Sequence, residues 1–105
     1  MHAIQSWIES VNDRSDLLKK WKERPIVLFF HGEQETVPLT ISTQNVRIDY
    51  DYEFHCPVHV HAPSQIIEKM LEGEVQLSKL PADLGKIEGK LRDILYVESL
   101  MLLAR

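Results

Sequence analysis

"PVHVHAPSQIIEKMLEGE", Pro57 to Glu74, changes its period halfway along. From Val58 to Ala62 apolar and polar residues alternate. Val58, Val60 and Ala62 fall on one side and His59 and His61 on the other, the pattern of a strand with one face in a core. After Pro63 the spacing widens to three and four. Ile66, Ile67, Met70 and Leu71 lie along one side of a helix, with Ser64 placed as its N-cap and Gly73 as its stop. A strand that passes through one proline into an amphipathic helix must share its core with that helix, and this sets what the flanking segments have to be.

Upstream, "PIVLFFHG" ends at Gly32 and is apolar throughout, which predicts a strand buried on both faces. "GEQE" then reads as a hairpin connection into "TVPLTIS", with Val37, Leu39 and Ile41 inward and Pro38 and Thr40 outward. Pro38 lacks a donor, so this strand is expected at an edge or a bulge. "NVRIDYDYEF" alternates most clearly: Val46, Ile48, Tyr50, Tyr52 and Phe54 are placed inward, Arg47, Asp49, Asp51 and Glu53 outward. Before these strands, residues 3 to 23 carry a helical stripe of Ile4, Ile8, Val11, Ser15 and Leu18, with Trp7 and Trp21 beside it. "NDRSD" interrupts it, and Asp13 or Asp16 would cap a second segment. Downstream, "VQLSKLPADLG" predicts a short turn with Val75, Leu77, Leu80 and Leu84 inward. "KIEGKL" predicts a fifth strand with Ile87, Gly89 and Leu91 on one face. "DILYVESLMLLA" predicts a closing helix.

Helix, four strands, helix, turn, strand, helix make an α+β domain over residues 1–105: a five-stranded, mainly antiparallel sheet with helices packed on one face. The fifth strand follows a helical crossover, which would let it add parallel to a neighbour. The chain of 105 residues is 44% hydrophobic and 27% charged, with a net charge of -4. That composition argues against disorder and against a nucleic-acid surface, which needs a basic patch. One cysteine excludes an internal disulfide and multi-cysteine zinc modules, and fits a reducing, cytoplasmic location. "PIVLFF" is too short to span a bilayer and the first residues lack the features of a signal peptide.

"VHVHAPSQIIEKMLEGEVQLSKL", followed by "GKIEGKL", resembles the sterol-carrier-protein type 2 family: a strand of alternating Val and polar residues, a Ser- or Pro-started helix rich in Ile, Leu and Met, a Gly near its end, then a later Gly-Lys strand. The resemblance implies helices on one face of a five-stranded sheet and an apolar tunnel between them for fatty-acyl, sterol-like or isoprenoid ligands. The short loops at 31–36 and 78–86 imply a reduced tunnel or none. It also implies a non-catalytic module, without a cofactor, or an accessory domain that dimerises. The pocket lining expected on the helices is Ile66, Ile67, Met70, Leu71, Ile94, Val97 and Met101. Val60, Leu80 and Leu84 are expected to complete it, and the inward hydroxyls of Tyr50 and Tyr52 are the candidate polar anchors. The same residues would equally serve as a filled core.

The histidine face has its own alternatives. If the third and fourth strands paired, Asp49 and Asp51 would lie near His59 and His61, two imidazoles and a carboxylate as in metal sites. Spacing fixes no third ligand. The leading reading is therefore a solvated face, or one that packs against a second copy in a homodimer, with cross-strand pairs worth a few tenths of a kcal/mol. Cys56 has inward parity and reads as a buried thiol; His31 reads as a loop residue. No phosphate loop, nucleophile elbow or dinucleotide fingerprint is present.

Overall fold

The computed structural model describes residues 2–21, 24–51 and 56–104, with Cys56 described through its backbone. The chain runs α1 (His2–Asp13), α2 (Ser15–Lys19), β1 (Ile26–His31), β2 (Thr36–Ile41), β3 (Val46–Ile48), β4 (Cys56–His61), α3 (Ser64–Leu71), a 3-10 turn (Leu77–Lys79), β5 (Lys86–Glu88) and α4 (Leu91–Leu103). The five strands form one sheet in the order β3-β2-β1-β4-β5. Three pairings are antiparallel and the central one, β1 with β4, is parallel.

The inward parity set out above holds in the centre of the sheet. Ile26, Leu28 and Phe30 of β1, Leu39 and Ile41 of β2, and Val58 and Val60 of β4 join one core with Ile4, Trp7 and Val11 of α1, Ile67 and Met70 of α3, and Val97 and Leu100 of α4. β1 is also closed on its other face, where Val27 and Phe29 are buried. An all-apolar strand in the middle of a sheet has this requirement on both sides.

Several expectations are corrected. The parallel partner is not β5, which runs antiparallel to β4; the long excursion from β1 through β2 and β3 brings the chain back beside β1 in the same direction. β3 and β4 are not neighbours, because β2 and β1 lie between them. Pro38 sits in an internal strand, opposite Phe29. Its carbonyl accepts from Asp49 N–H at 3.0 Å, so its donorless nitrogen faces the position just past the end of β3, where no ladder bond is lost. β5 is only three residues long. Gly89 has φ +144 and turns the chain there, which leaves Leu91 exposed on the first turn of α4. The N-terminal helical stretch breaks at Arg14, whose backbone (φ -112, ψ 56) leaves the helix. Asp13 supplies no cap; the Arg14 guanidinium instead meets Asp16 at 3.2 Å.

Two tertiary hydrogen-bonding devices fix the helices on the sheet. Asn12 of α1 donates to Val46 O at 2.9 Å and accepts from Val46 N–H at 2.8 Å, so its amide pairs with the edge strand as another strand would. Ser64, expected as a cap, is the first residue of α3. Its N–H and hydroxyl both donate to the Glu33 carboxylate, which keeps that carboxyl ionised below its usual range and does the capping from the β1–β2 turn. Gly73, at φ +79, ends α3 in the left-handed region as anticipated.

Candidate functional site

Along α1, Ala3, Ser6, Trp7 and Ser10 recur at helical spacing on the side turned to the end of α3. Three of these four side chains are small and leave the space beside α3 unfilled. The result is a groove of about 510 Å³, bounded by those residues, His2, Glu68, Leu71, Glu72 and Ala104. Trp7 forms part of its wall and packs edge-on against Phe30, with ring centroids 6.5 Å apart. Trp7 is 3% exposed, and its Nε1–H finds no acceptor among the described residues. Such an enclosed, unsatisfied donor costs about 1–3 kcal/mol. The serines are engaged locally: Ser10 Oγ donates to Ser6 O at 3.1 Å, and Ser6 Oγ lies 3.4 Å from His2 Nε2. The rim carries two exposed carboxylates, Glu68 and Glu72.

The residues expected to line a tunnel do not stay together. Val60, Ile67, Met70 and Val97 are 0% exposed. They are enclosed within the core, and Met101 is nearly as enclosed. Leu71 lines the groove, while Leu80 and Ile94 line a smaller hollow of about 260 Å³ with Leu77, Ser78, Ile87 and Leu91. Ile66 is half-buried against the core and Leu84 is half-buried. Tyr50 does not face inward: it is 71% exposed. β3 has already ended at Ile48, and the Asp49 carboxylate accepts from Asp51 N–H at 3.0 Å, turning the chain before Tyr50 can resume the alternation. Tyr52 lies outside the described residues. The sequence reading missed Ala3, Ser6 and Ser10, whose small size at helical spacing was the available signal.

A second constellation stands on the sheet face opposite the helices. The β1–β4 register sets Phe29 beside His59 and His31 beside His61. His31 is thus a strand residue and not a loop residue. Its Nε2 shares a hydrogen bond with His59 Nδ1 at 2.9 Å and its Nδ1 is hydrogen-bonded to Thr36 Oγ1 at 3.1 Å. The rings of His31 and His61 stack at 4.3 Å, and Phe29 stacks on His59 at 4.6 Å. His61 Nε2 meets Glu88 Oε1 of β5 at 3.0 Å. Burial, with the neighbouring imidazoles His61 and His59 adding to it, holds the His31 pKa below its ordinary value. The carboxylates expected here are elsewhere. Asp49 is held by Arg47 at 3.1 Å and by Thr40 at 3.4 Å, on the far side of β1, and Asp51 lies in the turn beyond it.

No protein-family model matches the chain, and no curated protein sequence does either. Solved structures do. A ubiquinone synthesis protein, UbiJ-SCP2, superposes with a TM-score of 0.60 at 14% identity over 91% of this chain and 81% of its own. A conserved hypothetical protein of Thermus thermophilus, described as possibly a sterol carrier protein, gives a TM-score of 0.56 at 17% identity, covering 100% of this chain and 85% of its own. At these identities the likeness is one of architecture, and it agrees with the strand, helix and glycine pattern read from Pro57 onward. The chain has the sterol-carrier-protein type 2 fold, α+β with a five-stranded mixed sheet and four helices.

Proposed function

We propose that this protein is a non-catalytic lipid-handling module whose ligand lies in the open groove between α1 and α3 and not in a tunnel beneath the helices. The observation that carries this reading is the groove itself: about 510 Å³, with apolar walls from Ala3, Trp7, Leu71 and Ala104 and one buried donor, Trp7 Nε1–H, lacking an acceptor among the described residues. Trp7 Nε1–H is enclosed, so a ligand oxygen would pair with it only after the indole turns toward the groove. The exposed carboxylate of Glu68 at the rim disfavours an anionic head group, and no lysine or arginine is among the described residues that line the groove. The fitting ligand is therefore neutral, a sterol-like or isoprenoid molecule carrying a hydroxyl or carbonyl, in preference to a free fatty acid. The fold's relatives, one described as a ubiquinone synthesis protein and one as possibly a sterol carrier, support that class. The chain has no helix long and apolar enough to cross a membrane among its described residues, and its lone cysteine supports a cytoplasmic setting.

The test uses a Trp21→Phe background, in which Trp7 is the only indole. A brominated sterol should quench its fluorescence saturably, and a brominated fatty acid should do so several-fold more weakly. Ser6→Phe, which fills the groove from an exposed position, should abolish quenching. Saturable quenching by neither probe, or quenching indifferent to Ser6→Phe, would refute the reading.

The burial of Val60, Ile67, Met70 and Val97 supports a second reading, an accessory module of the same fold with a filled core that works as a homodimer through the sheet face opposite the helices. Sedimentation equilibrium separates the two, because only the second requires a dimer.

A further inference from the structure

We propose that His31, His59 and His61 form a binding site for a divalent transition-metal ion of the zinc and copper class, on the sheet face opposite the helices. One ring nitrogen from each lies within 4.8 Å of the other two. The three residues stand on the two central strands, in adjacent rows of the parallel β1–β4 register, so their backbone positions are fixed by the most extensively paired part of the molecule. A set of imidazoles without thiolate suits zinc, copper or nickel and not the oxygen-seeking magnesium or calcium.

The partners of these rings are those a metal site needs in its outer layer. A ligating histidine commonly donates its second ring N–H to a hydroxyl, carbonyl or carboxylate, which fixes its tautomer and orientation. His31 has Thr36 Oγ1 at 3.1 Å, and His61 has Glu88 Oε1 at 3.0 Å. Phe29, stacked on His59 with an interplanar angle of 8°, restrains the third ring. Glu88 also brings a negative charge beside a dipositive ion, while Lys86, 4.0 Å from the other Glu88 oxygen and largely exposed, can turn into solvent. Between His31 Nε2 and His59 Nδ1, 2.9 Å apart, one proton is now shared. An ion at that place would displace the proton and take both lone pairs.

The geometry also states what binding demands. Tetrahedral zinc with nitrogen ligands separates those nitrogens by about 3.4 Å. The His31–His59 pair, at 2.9 Å, must open slightly. The rings are near parallel, at 18° for His31–His59 and 7° for His31–His61, and must tilt about their soft outer torsions to aim at one point. The site is thus poised and not fully formed, and it offers three protein ligands, the number found in open zinc sites that take an external fourth.

Isothermal titration of chelator-treated protein with zinc chloride at neutral pH should show one equivalent bound, and cobalt(II) should give the visible absorption of a tetrahedral ion. His31→Asn and His59→Asn should each weaken zinc binding at least tenfold and their combination abolish it. Glu88→Gln, at an exposed position, should weaken it about tenfold. His2→Asn, in the groove on the other side of the molecule, should change nothing. Circular dichroism of each variant separates loss of the site from loss of the fold, and Glu88→Gln keeps the test decisive if the histidine variants unfold. No saturable zinc uptake by the wild-type chain, uptake that survives the double histidine variant, or uptake abolished by His2→Asn would overturn the proposal.

Discussion

On β1 and β4, Ile26, Leu28, Phe30, Val58 and Val60 meet the helices, while Val27, Phe29, His31, Pro57, His59 and His61 occupy the other face of the same strands. The first set is aliphatic and aromatic and encloses no space that water reaches at Val58 or Val60. The second set is built largely from stacked rings, with nitrogens hydrogen-bonded between imidazoles and out to Thr36 and Glu88. The helix-covered face is held by non-directional packing, which tolerates little change in volume although no specific atom matters. The histidine face is held by directional contacts among titratable groups, whose strength depends on protonation. One side of the sheet is therefore committed to stability, and the other retains the chemistry.

The largest effect should come from the packed side. Leu28→Ala should cost about 3 kcal/mol in urea unfolding, since Leu28 is wholly enclosed and its neighbours on three strands cannot collapse into the gap. A loss below about 1 kcal/mol would mean that the helix-covered face is loosely packed. Asn12→Ala should cost about 1–2 kcal/mol, because it strips the edge strand β3 of both hydrogen bonds at Val46; amide exchange at Val46 should quicken at the same time.

A smaller effect should come from pH. The unfolded chain binds a proton at His31 with the ordinary pKa of 6.5, and the folded chain does so only at lower pH. Stability from this group is thus complete above pH 6.5 and declines as pH falls from there through the lowered folded value. His59, His61 and Glu88 face the same ring, the two imidazoles opposing its protonation and the carboxylate favouring it. The melting temperature should drop as pH falls from about one unit above the ordinary histidine value to about one unit below it, by an amount reduced in His31→Asn. An unchanged pH profile in that variant would remove His31 from the account. Least of all, Glu88→Gln should shift stability by less than about 0.5 kcal/mol, as expected for a half-exposed pair, while still weakening zinc binding. A large loss of stability there would make the histidine face structural after all.

Period-two alternation told which residues meet the helices in the centre of the sheet, at Leu39, Ile41, Val58 and Val60, and failed at the edge, where Ile48 is 40% exposed. The switch of period at Pro63 located α3, and Gly73 located its end. Alternation says nothing of which strand lies next to which. For that reason it offers Asp49 and Asp51 as partners for His59 and His61, when the true neighbour, His31, comes from the first strand. It also cannot see a local side-chain hydrogen bond that ends a strand early, as Asp49 does before Tyr50. The core and the pocket were indistinguishable in the sequence because both ask for the same residues. Only three-dimensional closure at Val60, Ile67, Met70 and Val97 separates them.

The parallel register of β1 and β4 also bears on how the chain folds. Ile26 pairs with Cys56, far along the chain, whereas β1 and β2 meet across a short turn. Closing the longer span must await the excursion through β2 and β3, so the β1–β2 hairpin is the natural first element and the docking of β4 the slow step. The histidine cluster straddles that late junction. A residue from the early hairpin meets two from the late strand, so His31 reaches His59 and His61 only when β4 docks.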